Sequence, residues 1–148
     1  MNHFRRSVLA LAILVAMPAA AQITLPFHSS NSLIFVEITA NGKPVTMLLD
    51  SGSVRTLLSA KAMQVDLKLA AMNHKSYERG LEGTIVEMPA TVIIGEHKIL
   101  TDVMAGNLSQ LASTMGVDKC DGIIGQDVLR RFKSVRIDYK TRRVEFEE

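Results

Sequence analysis

Asn41-Gly42 stands between two apolar runs rich in branched residues, 33–40 and 45–49. Asn followed by Gly is a strong hairpin signal, because both positions of a tight turn between twisted strands need positive φ. The first run alternates in part, with Ile34, Val36 and Ile38 on one face. The chain is thereby committed to antiparallel β-structure from its first folded segment. Further short strands are expected at 56–58, 75–78 and 84–88, and a hairpin at 90–94 and 97–104 around Gly95-Glu96. The run 122–125 and a closing hairpin of 135–138 with 144–146 complete the series. Ser59 is placed to cap a short helix ending near Val65, and Val128, Leu129 and Phe132 have helical spacing within 126–132. Residues 106–119 read as a polar loop. About nine strands and two short helices make an all-β, barrel-like or sandwich-like domain.

The N-terminus reads differently. Arg5 and Arg6 precede an apolar run over 8–17, and Pro18-Ala19-Ala20-Ala21 follows. A basic start, a short apolar centre and a small-residue end describe a secretory signal peptide over 1–21, cleaved after Ala21. The alternative is a membrane anchor, but the run is shorter than the ~20 residues that span a bilayer. The expected product is one domain over 22–148, exported to the periplasm or secreted, with no stable membrane insertion. The net charge of +2 belongs to Arg5 and Arg6. Arg130-Arg131 and Arg142-Arg143 are too short to suggest a nucleic-acid surface. A single cysteine, Cys120, forms no internal disulfide.

Chemistry concentrates at Leu48-Leu49-Asp50-Ser51-Gly52. A carboxylate directly after an apolar strand is followed by a hydroxyl and by a residue that lets backbone approach backbone. Two such carboxylates brought together cannot both ionise. They share a proton, and one serves as base towards water while the other serves as acid towards a carbonyl. The chain carries one Asp-Ser/Thr-Gly triplet, and a symmetric homodimer supplies its counterpart. By itself the triplet is also an ordinary turn.

The conjunction of motifs is more specific. Leu48-Leu49-Asp50-Ser51-Gly52-Ser53 followed by Thr56-Leu57-Leu58-Ser59 resembles the active-site segment of retropepsin-like aspartic proteases. Asp121-Gly122-Ile123-Ile124-Gly125-Gln126-Asp127-Val128-Leu129 resembles that family's second signature, a strand threading the aspartate loop with a short helix after it. Gly80, Leu81, Glu82 and Gly83 fall where the family places its mobile flap, although a plain hairpin would look the same. The resemblance is to the bacterial secreted members rather than to two-domain pepsins, and implies a closed, barrel-like domain. Asp50 would be the catalytic aspartate, and Ser51, Gly52 and Ser53 would support its loop. Gly122, Ile123, Ile124 and Gly125 would form the threading strand. A peptide or protein substrate and a homodimer are implied, with neither metal nor organic cofactor. A peptide-binding or dimerisation module that cuts nothing is the alternative, since a fold does not guarantee an activity.

Two departures qualify the likeness. Retroviral members pair an Asp two residues after the motif Gly with an Arg after the second signature's Gly; here Val54 and Gln126 stand there. Both charges are missing together, which leaves neither buried alone. Gln22-Ile23-Thr24-Leu25 resembles a retroviral N-terminal strand and is expected in an intersubunit sheet. His28, His74 and His97 lack metal-ligand spacing. No Gly-x-Ser-x-Gly elbow occurs. Asp121, Asp127 and Asp138 are expected to cap turns and helix ends.

Overall fold

The computed structural model describes residues 21–79 and 83–148. β1 (Gln22–Ser30), β2 (Leu33–Ala40) and β3 (Lys43–Leu49) form an antiparallel meander. Asn41 and Gly42 adopt φ of 47° and 76°, the geometry their sequence predicts. The turn is also pinned from outside, because Asn41 Oδ1 accepts from the Thr91 amide at 2.8 Å. Asn31 and Ser32, at φ of 49° and 64°, make a comparable turn without glycine.

β4 (Leu57–Ser59) runs into α1 (Ala60–Met63), and Ser59 Oγ accepts from the Ala62 amide at 3.3 Å. The helix stops short of Val65 because Gln64 turns left-handed at φ 58°. A second helix, α2 (Leu67–Asn73), was not among the expected elements; Asp66 Oδ1 caps it by accepting from Lys68 and Leu69. β5 (Lys75–Arg79) pairs with β6 (Gly83–Ile94), which unites the two strands expected at 84–88 and 90–94. Pro89 lies within β6 in register with Asp102 of β7 (His97–Gly106). The expected loop at 106–119 contains α3 (Leu111–Met115), ended by Gly116 at φ 65°. β8 (Gly122–Ile124), α4 (Gln126–Leu129), β9 (Ser134–Asp138) and β10 (Arg143–Glu147) follow. α4 is shorter than its sequence spacing suggested.

The decisive feature is where β8 sits. It pairs parallel with β3 and antiparallel with β4, filling the gap between two strands joined by residues 50–56. β4 in turn lies parallel to β7. The sheet order is β5-β6-β7-β4-β8-β3-β2-β1-β10-β9, and β2 also touches β6 through Thr39–Ile93 and Ala40–Val92. These pairings close a circuit of strands, barrel-like but joined at one seam by two residues. Phe27, Val36, Met47, Leu58, Ile94, Ile124 and Val128 fill it. Phe35, Leu48 and Cys120 form a smaller cluster with residues of α3 against it.

β1 changes partners along its length. Gln22 to Pro26 pair with β10, and Phe27 to Ser30 pair with β2. The stretch 22–25, expected in an intersubunit sheet, is thus bound to the C-terminal strand of its own chain. Among the described residues no helix is long and apolar enough to cross a membrane.

Candidate active site

Asp50 closes β3 at the mouth of the threaded gap, half-buried. Its amide donates to the Ile124 carbonyl of β8 at 3.2 Å. The Gly52 amide donates to Asp50 Oδ1 at 2.8 Å, and the Ser53 amide to the Asp50 carbonyl at 3.3 Å. One carboxylate oxygen is therefore oriented by the loop itself. A Cβ on Gly52 would lie 3.1 Å from that same oxygen, a tight contact that would press on the carboxylate. Ser51 is exposed, and its carbonyl accepts from Gln126 Nε2 at 2.5 Å. Ser53 Oγ donates to the Arg55 carbonyl at 2.8 Å.

The second signature holds this loop from within. The Gln126 amide donates to the Ser53 carbonyl at 2.8 Å. The Gly125 amide donates to Thr56 Oγ1 at 3.0 Å, and the Thr56 hydroxyl in turn donates to Asp127 Oδ1 at 2.7 Å. Asp127 also accepts from the Thr56 amide, with both oxygens at 2.9 Å. Thr56 is fully buried, so these bonds satisfy groups that water cannot reach. A Cβ on Gly125 would stand 2.6 Å from the Arg55 carbonyl, and one on Gly122 would collide with the Leu57 carbonyl. Both glycines are there because backbone passes against backbone. Ile124 is fully buried in the core and Ile123 packs on the smaller cluster.

Sequence reasoning placed Asp50, Ser51, Gly52, Ser53 and the 122–125 strand in one neighbourhood, and the structure brings them together. It underrated Asp121 and Asp127. Asp127 does accept from the Val128 amide at 2.9 Å, as a helix-start residue would, but its larger task is Thr56. Asp121 Oδ2 accepts from the Thr46 amide at 2.9 Å, binding β3 to the segment entering β8. One position along from Val54 and Gln126 stands a pair of opposite polarity, where Arg55 Nε lies 3.5 Å from Asp127 Oδ2. Val54 itself is exposed. Arg55 Nη2 reaches further, donating to Glu87 Oε1 at 2.7 Å. That hydrogen bond is the chief cause holding the Glu87 carboxyl below its ordinary range. Of the flap candidates, Gly80, Leu81 and Glu82 lie outside the described residues. Gly83 opens β6 at φ 72°, and among the described residues nothing lies within 4 Å of where a Cβ would stand. Burial pushes the Cys120 thiol upward, the environment of a packed side chain rather than an activated nucleophile.

Comparison with solved structures adds an independent line. A retropepsin-like aspartic protease from Rickettsia conorii covers 86% of this chain and 91% of its own, at 18% identity and a TM-score of 0.57. The chain has a retropepsin-like fold. Two more distant matches are the retroviral protease-like domain of Ddi1 from Leishmania major and EIAV protease in complex with the inhibitor HBY-793. The first shares 21% identity over 73% of this chain and 82% of its own, with a TM-score of 0.45. The second shares 15% identity over 82% and 93%, with a TM-score of 0.39. No protein family and no curated protein matches the sequence. Within the retropepsin-like fold, the threaded strand is β8 and the aspartate loop is 50–56.

Proposed function

We propose that the chain is an aspartic endopeptidase acting as a homodimer, with one Asp50 from each subunit. The observation that supports this most is the orientation of Asp50: a half-buried carboxylate at the mouth of the threaded gap, one oxygen held by the Gly52 amide. A loop that serves only as a turn needs no strand inserted beneath it.

The chemistry follows from two carboxylates sharing one proton. The ionised member takes a proton from water as the water oxygen attacks the peptide carbonyl carbon. The protonated member gives its proton to the carbonyl oxygen, forming a neutral tetrahedral gem-diol. Proton transfer to the nitrogen and rupture of the C–N bond release a carboxylic acid and an amine. The rate then follows a bell against pH, which we place on the acidic side of neutrality. Ser51, exposed beside the aspartate, is available to a partner subunit. Gly80, Leu81, Glu82 and Gly83 would cover the substrate. Residues 1–21 would direct export to the periplasm or beyond and be removed.

The decisive experiment incubates the purified protein with a diverse peptide mixture from acid to neutral pH, beside Asp50→Asn. Wild type is expected to cut and the variant to fall below detection while folding normally. Full activity in Asp50→Asn would end this assignment. A wild type that binds extended peptides and cuts none would establish the silent binding module instead. Light scattering over micromolar to hundred-micromolar concentrations tests the dimer, and a monomer that cuts efficiently at every concentration would rule the mechanism out. Intact mass of the exported protein tests cleavage after Ala21.

A further inference from the structure

Arg55 carries the contacts of the aspartate loop out to the β5–β6 hairpin. Residues 50–56 are held from beneath by β8 and α4, through Gly125, Gln126 and Asp127. The Thr56 carbonyl accepts from the Met104 amide of β7 at 2.9 Å. Among the described residues, the loop reaches the β5–β6 hairpin by one side-chain hydrogen bond, that of Arg55 Nη2 to Glu87 Oε1 at 2.7 Å. The same Nη2 donates to the Asp102 carbonyl of β7 at 3.1 Å. The other oxygen of Glu87 accepts from the Tyr77 hydroxyl at 3.3 Å. Glu87 stands on β6 and Tyr77 on β5, so one carboxylate joins both strands of the hairpin stem to the loop. Lys75, which faces Glu87 across the ladder, lies with Nζ 5.1 Å above the Tyr77 ring.

The orientation of the guanidinium is itself informative. Its Nε is buried, lies 3.5 Å from Asp127 Oδ2 and makes no hydrogen bond, while the short contact goes across to Glu87. Asp127 is already occupied by the Thr56 amide, the Thr56 hydroxyl and the Val128 amide. The arginine therefore adds little to the inner clamp and spends its best geometry on the hairpin. A loop needing only internal order would not require that reach.

We propose that Arg55 and Glu87 are positioning residues: their ion pair fastens the Asp50 loop to the stem of the β5–β6 hairpin, keeping hairpin and carboxylate at one spacing across the bound peptide. The assignment rests on the reading of Asp50 as the catalytic carboxylate. Neither residue takes part in bond making. Breaking the pair leaves Asp50 held by β8 and the stem held to β7, but removes the direct side-chain tie between loop and hairpin. Small displacements of groups that position substrate carry large kinetic penalties.

The test compares Glu87→Gln, Arg55→Gln, Arg55→Lys and the double variant Arg55→Gln/Glu87→Gln with wild type. Each single Gln variant should raise KM about tenfold while kcat changes less. The double variant should lose no more than the worse single, since both remove one interaction. Arg55→Lys, which keeps the charge without the fork, should recover part of the loss. Loss confined to kcat at unchanged KM, as from a smaller folded fraction, would overturn the proposal; so would a double variant whose loss is the product of the two singles. Amide hydrogen exchange gives a readout that needs no activity. Arg55→Gln should speed exchange over 75–79 and 83–87, strands that it reaches, among the described residues, by its hydrogen bond to Glu87. Unchanged exchange there would overturn the latch, whether or not wild type cuts peptides. A wild type that cuts nothing would remove only the catalytic reading and leave exchange to decide the latch.

Discussion

The threaded centre and the outer β1–β10–β9 sheet are both β-structure, yet they are held by different means. At the centre, partly buried carboxylate–amide bonds and close backbone passage do the holding. Asp127 serves Thr56, Asp121 serves Thr46, and Gly122 and Gly125 lie where no side chain fits. At the outer sheet, Phe146 and Val144 are buried on one face, while the other carries cross-strand charge pairs. Lys133 and Ser134 both bind Glu147, and Arg136 binds Glu145. The centre therefore has one way to be built, whereas the polar face of the outer sheet has many. This is the division expected if the centre must hold a reacting group and the outer sheet must only close the domain.

The largest effect that separates the two should come from Gly125→Ala. Its new methyl meets the Arg55 and Ser53 carbonyls, and backbone cannot retreat as a side-chain tip can. A cost of about 3 kcal/mol or more is expected in denaturant unfolding. A variant as stable as wild type would show that the threaded passage is loose. Asp127→Ala comes next, since it strands the buried Thr56 amide and hydroxyl. About 2–3 kcal/mol should be lost.

Acid should loosen the outer sheet. Glu147 is held below its ordinary range by Lys133 and then Ser134, and Asp138 by Thr141 and then Lys140. A carboxyl whose folded value is depressed contributes stability that is present above its unfolded value, about pH 4. That contribution is lost as pH falls through the folded value. Amide exchange in β9 and β10, corrected for intrinsic rate, should therefore quicken as pH falls below about 4. Unchanged exchange there would show that the charge pairs do not hold this sheet. The smallest effect belongs to Arg136→Gln, because the Arg136 side chain is 71% exposed. Its thermal midpoint should be indistinguishable from wild type.

Legibility in the sequence followed the same division in part. The Asn41-Gly42 and Gly95-Glu96 hairpins were readable because their turns are set by adjacent residues. Asp50 and the 122–125 strand were readable because their motifs are compact. Asp127 was not, since its partner Thr56 is 71 residues away and a lone Asp in the first turn of a helix looks like a helix-end residue. Arg55 and Glu87 carry no local pattern whatever. Asp66 was a missed signal: an Asp before Leu67 and a run of helix formers should have marked α2. α3 offered less, since Gln110 makes no side-chain cap bond.

The insertion of β8 between β3 and β4 also sets the order of events in folding. Thr46 and Asp121 are 75 residues apart, and β1 must find β10 across nearly the whole described chain. Loops of that length close only after much chain entropy is lost, so folding belongs on the order of milliseconds to seconds rather than microseconds. The β2–β3 and β6–β7 hairpins can form early, but the gap beneath Asp50 stays empty until the second signature arrives. A nascent chain thus presents the aspartate without the strand that supports it. The site matures only when nearly all of the domain has emerged.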